Sequence, residues 1–118
     1  MKKIILTIML LFLTGCSSIS KTSVITYNDA LKLINNNNAI IIDVRTESEY
    51  NEGHIEDAIL MTLDTINEST AKNNIKNKDS YVIVYCKSGN RSKQAQELLN
   101  KLGYTNVYNL GSINNWEG

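Results

Sequence analysis

The sequence predicts a three-layer α/β domain built on a mostly parallel sheet, and three features of the chain predict it. Two short unbroken apolar runs rich in β-branched residues, Ala39-Ile40-Ile41-Ile42-Asp43 and Tyr81-Val82-Ile83-Val84-Tyr85, read as strands covered on both faces. Segments with helical spacing separate the apolar runs, and strands that alternate with helices imply parallel pairing. At 118 residues the chain holds one small domain and has no room for a second.

The first stretch, MKKIILTIMLLFLTGCSS, sets two lysines before an apolar run and then small residues around a cysteine. This is the pattern of a secretory signal, too short for a spanning helix. Leu13-Thr14-Gly15-Cys16 resembles the bacterial lipobox, which implies cleavage after residue 15 and a diacylglyceryl group on Cys16. The alternatives are an ordinary signal cleaved nearby or an uncleaved anchor. The expected organisation is a signal peptide over 1–15, a lipid-anchored linker over 16–23 and the domain over 24–118. Acyl chains at one terminus hold a protein to a membrane surface, each buried methylene contributing about 0.8 kcal/mol. The domain is therefore expected outside the cytoplasm, with the membrane as a partner through Cys16.

Within the domain, Thr26-Tyr27-Asn28-Asp29 has the form of a capping box, and Ala30, Leu31 and Ile34 follow at helical spacing, so a helix is expected over 27–36. The strand at 39–43 comes next. Thr46-Glu47-Ser48-Glu49 is a second capping box, opening a short helical turn that ends near Gly53. A brief strand over 58–62 precedes a weaker helix over 63–72 with Asp64 as its cap. After the strand at 81–85, the apolar positions Ala95, Leu98, Leu99 and Leu102 mark the clearest helix of the chain, and Gly103 supplies a left-handed stop. A last strand over 106–110 and a helical turn over 113–117 close the chain.

Composition narrows the function. Twelve basic residues balance twelve acidic ones, so there is no basic excess to bind nucleic acid. Loss of Lys2 and Lys3 with the signal tips the balance slightly acidic, so attraction to anionic lipid plays no part in anchoring. One histidine and one free cysteine are too few for a metal site, and no cofactor is implied. The asparagine clusters at 35–38 and near Asn73, Asn74 and Asn77 read as loop or compositional bias.

The chemistry concentrates at YCKSGNRS, residues 85–92. If Cys16 carries lipid, Cys86 is the sole free thiol and no internal disulfide forms. Cys86 ends an apolar run and stands at the carboxyl edge of a parallel strand, where ligands bind in open sheets. Lys87, Ser88, Gly89 and Asn90 must turn tightly into the helix. Gly89 and Asn90 tolerate positive φ, so backbone N–H groups can converge on the sulfur as an anion-binding nest. Those donors, the helix N-terminus, Lys87 and Arg91 would lower the thiol pKa and make an exposed, activated nucleophile. The alternative is a buried structural cysteine ahead of an ordinary helix cap.

Three motifs in order carry a family resemblance over nearly the whole chain after the signal. IIDVRTESEYNEGHIEDAI, YCKSGNRSKQAQELL and GYTNVYNLGSINNW resemble the first motif, active loop and closing segment of single-domain rhodanese sulfurtransferases. The resemblance implies a five-stranded parallel sheet with helices on both faces. It also implies Cys86 as the catalytic nucleophile, carrying sulfane sulfur from a small sulfur-containing anion such as thiosulfate to a thiol or cyanide acceptor through a covalent persulfide. Residues Lys87, Ser88, Gly89, Asn90 and Arg91 would cradle the persulfide and the incoming anion, with Lys87 and Arg91 neutralising donor oxygens. Asp43 and Arg45 match the family's Asp-Val-Arg and are expected to order the loop edge of the sheet rather than to take part in the chemistry. His54 is expected to be structural, and Trp116 is either a wall of the pocket or a core or surface aromatic.

Two departures from the family pattern stand out. Glu56-Asp57-Ala58 replaces a frequent Pro-Gly-Ala, and Ser112 follows Gly111 where a second glycine is common. A rhodanese-fold phosphatase or arsenate reductase is disfavoured, because four residues rather than five separate Cys86 from Arg91. A carrier or sensor of sulfane sulfur at the membrane is the remaining alternative, since an intact loop serves either role.

Overall fold

Four parallel strands, in the order β2-β1-β3-β4, form the sheet of the computed structural model, which describes residues 18–118. Cys16 and the signal-like segment lie outside the described residues. The elements run α1 (Tyr27–Asn37), β1 (Ile40–Asp43), α2 (Glu47–Glu52), β2 (Ile59–Leu60), a 3₁₀ turn (Leu63–Thr65), α3 (Glu68–Asn74), β3 (Tyr81–Cys86), α4 (Asn90–Lys101), β4 (Asn106–Ser112) and a 3₁₀ turn (Ile113–Asn115). Both expected capping boxes form: Thr26 with Asp29 opens α1, and Thr46 with Glu49 opens α2.

Strand periodicity divides the core into two layers. Val82, Val84 and Cys86 point to the face covered by Ala71 of α3 and by Ala95 and Leu99 of α4. Ile83 and Tyr85 point to the opposite face, against Ala30 and Leu33 of α1 and Tyr50 of α2. Because both faces are covered, the central strand β3 is apolar throughout, and five of its six residues are buried.

Among the described residues the fifth strand expected does not form. Residues 21–25 run beside β4, yet they make a single backbone bond to it, Ile25 N–H to Asn109 O at 2.9 Å. Further back, the Gln96 amide of α4 donates to both Lys21 O and Val107 O at 2.9 Å. A side chain thus bridges two carbonyls where a ladder would join backbone to backbone. Lys21 Nζ completes the attachment at Thr105 O and Asn106 Oδ1, both 3.1 Å away.

The helix expected over 63–72 is split. Thr65 Oγ1 donates to Thr62 O at 2.8 Å, and Thr70 Oγ1 donates to Thr65 O at 2.7 Å, so both carbonyls are occupied by hydroxyls. The chain leaves helical geometry at Ile66 and restarts under an Asn67 cap, whose side chain accepts the Thr70 N–H. Asp64 caps nothing and stays exposed.

Candidate active site

β3 delivers Cys86 to the carboxyl edge of the sheet, and α4 starts four residues later. Gly89 makes the turn at φ 106°, a conformation that side-chain-bearing residues rarely adopt. Asn90, also expected to tolerate such a turn, is instead the first helical residue. With Gly89 so placed, its N–H lies 3.0 Å from Cys86 Sγ and the Ser92 N–H lies 3.3 Å away. Ser92 Oγ stands 3.5 Å from the sulfur and donates its own proton to Gly89 O at 3.0 Å. A hydroxyl rotates, so the same oxygen accepts from a thiol or donates to a thiolate.

Burial is the largest single influence on the thiol and pushes its pKa up. The Ser92 hydroxyl and the backbone N–H groups of Ser92, Gly89 and Ser88 act together against it, and the net position lies below the ordinary thiol value. Contrary to the exposed thiol expected, Cys86 is fully buried, with 0% of its surface accessible. Lys87, Ser88 and Asn90 are exposed. The Lys87 carbonyl is clamped by Ser112 Oγ at 2.6 Å, so the serine that replaces a frequent glycine ties the end of β4 to the loop.

The two arginines are already partnered. Arg91 does not point an open fork at the sulfur: its Nη1 and Nη2 donate to Glu49 Oε1 and Oε2 at 2.7 and 3.1 Å. This pairing, helped by hydrogen bonds from Thr46, holds the Glu49 carboxyl down at about 2. Arg45 is buried against Asp43, with Nη2 to Oδ2 at 2.7 Å and Nε within 3.1 Å of both carboxylate oxygens. Arg45 Nη2 also donates to Gly53 O at 2.7 Å. Tyr85 Oη donates to Asp43 Oδ2 at 2.6 Å and accepts the Ile55 N–H at 3.1 Å. Burial first, and the Asp43 carboxylate second, push the Tyr85 hydroxyl pKa up, so it remains a donor. Asp43, Arg45 and Tyr85 thus lash the loop after α2 to the sheet.

Beside this edge lies a cavity of about 490 Å³, walled by Val44, Arg45, Thr46, Leu63, Asp64 and Arg91. Trp116 is not among its walls. That ring packs edge-on against Tyr27 at 4.8 Å and lines a separate cavity of about 350 Å³ with Leu31, Ile34 and Asp57. His54 takes a local structural position, its Nδ1 2.8 Å from Tyr50 O and its ring stacked on Tyr50 at 3.7 Å.

Residues 26–118 match the family model described as Rhodanese-like domain. The chain belongs to the rhodanese-like domain family. Thiosulfate sulfurtransferase PspE of Escherichia coli K12 is 39% identical to this rhodanese-like chain over 72 residues, 61% of the chain and 68% of the relative. The uncharacterized protein YibN of the same strain is 32% identical over 116 residues, 98% of the chain and 81% of the relative. Among solved structures, a rhodanese with anions from E. coli superposes with a TM-score of 0.60 at 36% identity, over 65% of this chain and 89% of that one. At family level the activity of this rhodanese-like domain is sulfurtransfer. Three of its site residues escaped the sequence reading. Ser92 was visible only as the residue after Arg91, Tyr85 as a strand residue and Glu49 as a helix-capping residue.

Proposed function

We propose that the protein is a thiosulfate-sulfurtransferase-like enzyme that carries sulfane sulfur as a persulfide on Cys86. The observation that carries this reading is the convergence of the Gly89 and Ser92 N–H groups on Cys86 Sγ, at 3.0 and 3.3 Å. In the first half-reaction the Cys86 thiolate attacks the outer sulfur of thiosulfate. The sulfur–sulfur bond of the donor breaks, sulfite leaves with the electron pair, and the terminal persulfide sulfur inherits the negative charge. In this reading the N–H groups that face Sγ at rest also stabilise charge on the loaded sulfur. In the second half-reaction a thiol or cyanide takes that sulfur and Cys86 returns as thiolate.

The lipobox-like segment around Cys16 supports a lipid-anchored, extracytoplasmic location, and the soluble chemistry does not depend on it. The experiment is intact mass of the full-length chain before and after thiosulfate or polysulfide, with Cys86→Ser as control. A gain of one sulfur that cyanide removes as thiocyanate, absent in the control, is the expected result. No gain from either donor would overturn the sulfurtransferase reading, and palmitate or diacylglyceryl mass missing from chain expressed in a bacterium with its signal intact would overturn the anchor.

A further inference from the structure

Both guanidinium groups beside the active loop are neutralised by carboxylates of this chain, and that arrangement bears on which donors the site accepts. Arg45 is taken up by Asp43 and Gly53 O. Arg91 is gripped at both nitrogens by Glu49, whose Oε1 is fixed in turn by the Thr46 N–H and hydroxyl, each at 3.0 Å. Glu47 and Asp64 also line the cavity, and among the described residues neither has an ion-pair partner. On the loop itself Lys87 contributes an exposed ammonium. The cavity that Arg45 and Arg91 line therefore presents carboxylates and two guanidinium groups already paired, rather than an open cationic cradle.

We propose that Glu49, by occupying the Arg91 fork, is a specificity-determining residue that turns the site away from dianionic thiosulfate and toward persulfides whose organic part carries no negative charge. This rests on the sulfurtransferase reading above. A thiosulfate oxyanion must compete with a carboxylate already held at four hydrogen bonds. An organic persulfide asks nothing of Arg91: the Cys86 thiolate attacks the outer sulfur of R–S–SH, the donor sulfur–sulfur bond breaks, R–S⁻ leaves with the electron pair, and Cys86–S–SH retains the proton. An aminothiol persulfide adds a cation that Glu47 and Asp64 favour.

The test measures thiocyanate formation by the full-length chain with cyanide as acceptor, using thiosulfate and cysteamine persulfide as donors, in wild type, Glu49→Gln and Glu49→Asp. Glutamine keeps the Thr46 capping box while removing the charge; aspartate keeps the charge. Wild type is expected to show the higher kcat/KM with cysteamine persulfide. In Glu49→Gln the thiosulfate-to-persulfide ratio of kcat/KM should rise about tenfold, mainly through a lower KM for thiosulfate, whereas Glu49→Asp should leave the ratio low. A wild type that prefers thiosulfate, an unchanged ratio in Glu49→Gln, or an equal rise in both variants would overturn the proposal while leaving sulfurtransfer intact. Turnover of neither donor by wild type would overturn the sulfurtransferase reading itself.

Discussion

Replacing Ser92 by alanine isolates one contributor to thiolate stabilisation. The substitution removes the hydroxyl 3.5 Å from Cys86 Sγ and leaves the two backbone donors of Gly89 and Ser92 in place. A hydrogen bond to a charged partner contributes about 1.5–3 kcal/mol, and a bond this long belongs at the lower end. About 1.4 kcal/mol is tenfold in an equilibrium, so the thiolate population at pH below the wild-type pKa should fall about tenfold. The sign follows from the direction of the perturbation: the hydroxyl lowers the thiol pKa, its loss raises it, and the deficit is full below the wild-type pKa and vanishes above that of the variant. Alkylation of Cys86 by iodoacetamide, followed by intact mass across pH 5–11, reads this directly. Because the sulfur is fully buried, the loop must open before the reagent enters, and loosening would accelerate the variant at every pH. A slower variant at low pH that converges with wild type at high pH supports the assignment, whereas superimposed profiles would refute it.

Other outcomes follow from the same geometry. Asp43→Ala leaves Arg45 buried without its carboxylate and Tyr85 without its acceptor; breaking a buried pair costs about 3–5 kcal/mol, so thermal unfolding should drop by more than about 10 °C. Asp57 holds φ at 70° in the turn where the family often has glycine, so Asp57→Gly should raise the urea midpoint, by about 0.5–1 kcal/mol in free energy. The Glu49 carboxyl is held at about 2 against an ordinary 4.5, so its contribution to stability is present above pH 4.5 and is lost as pH falls toward 2. The stability difference between wild type and Glu49→Gln, from urea unfolding, should therefore shrink across that window.

The parallel sheet was legible because its strands are doubly buried, and that condition writes an unbroken β-branched run such as Ile40-Ile41-Ile42. The starts of α1 and α2 were legible because a Thr followed three positions later by an acid is a local signal, complete within one turn. Cys86 and its loop were readable for a similar reason, since strand end, glycine and helix start adjoin in sequence. What failed to show depends on contacts across the chain. Glu49 and Arg91 lie 42 positions apart, and a capping acid gives no sign that its other oxygen meets a guanidinium. Where a fifth strand was expected, the described residues show instead a bridge by Gln96, a buried polar residue of α4 whose amide reaches carbonyls 75 and 11 positions away. The break at Asn67 was in principle local, but Asp64 offered an equally good cap three residues earlier and the threonine hydroxyls decided between them.

The attachment of Lys21 to Thr105 and Asn106 gives the molecule a direction. These contacts lie where β4 begins, and in a parallel sheet all strands begin on the same edge. Cys86 ends β3 on the opposite edge, a strand of six residues and roughly 20 Å away. The described chain therefore starts, at Ser18 and Ile19 beside Tyr81 and Asn106, on the side of the domain away from the sulfur. The two ends of the strands thus divide the labour: one edge seats the incoming segment, and the other is left to the loop that holds the sulfur.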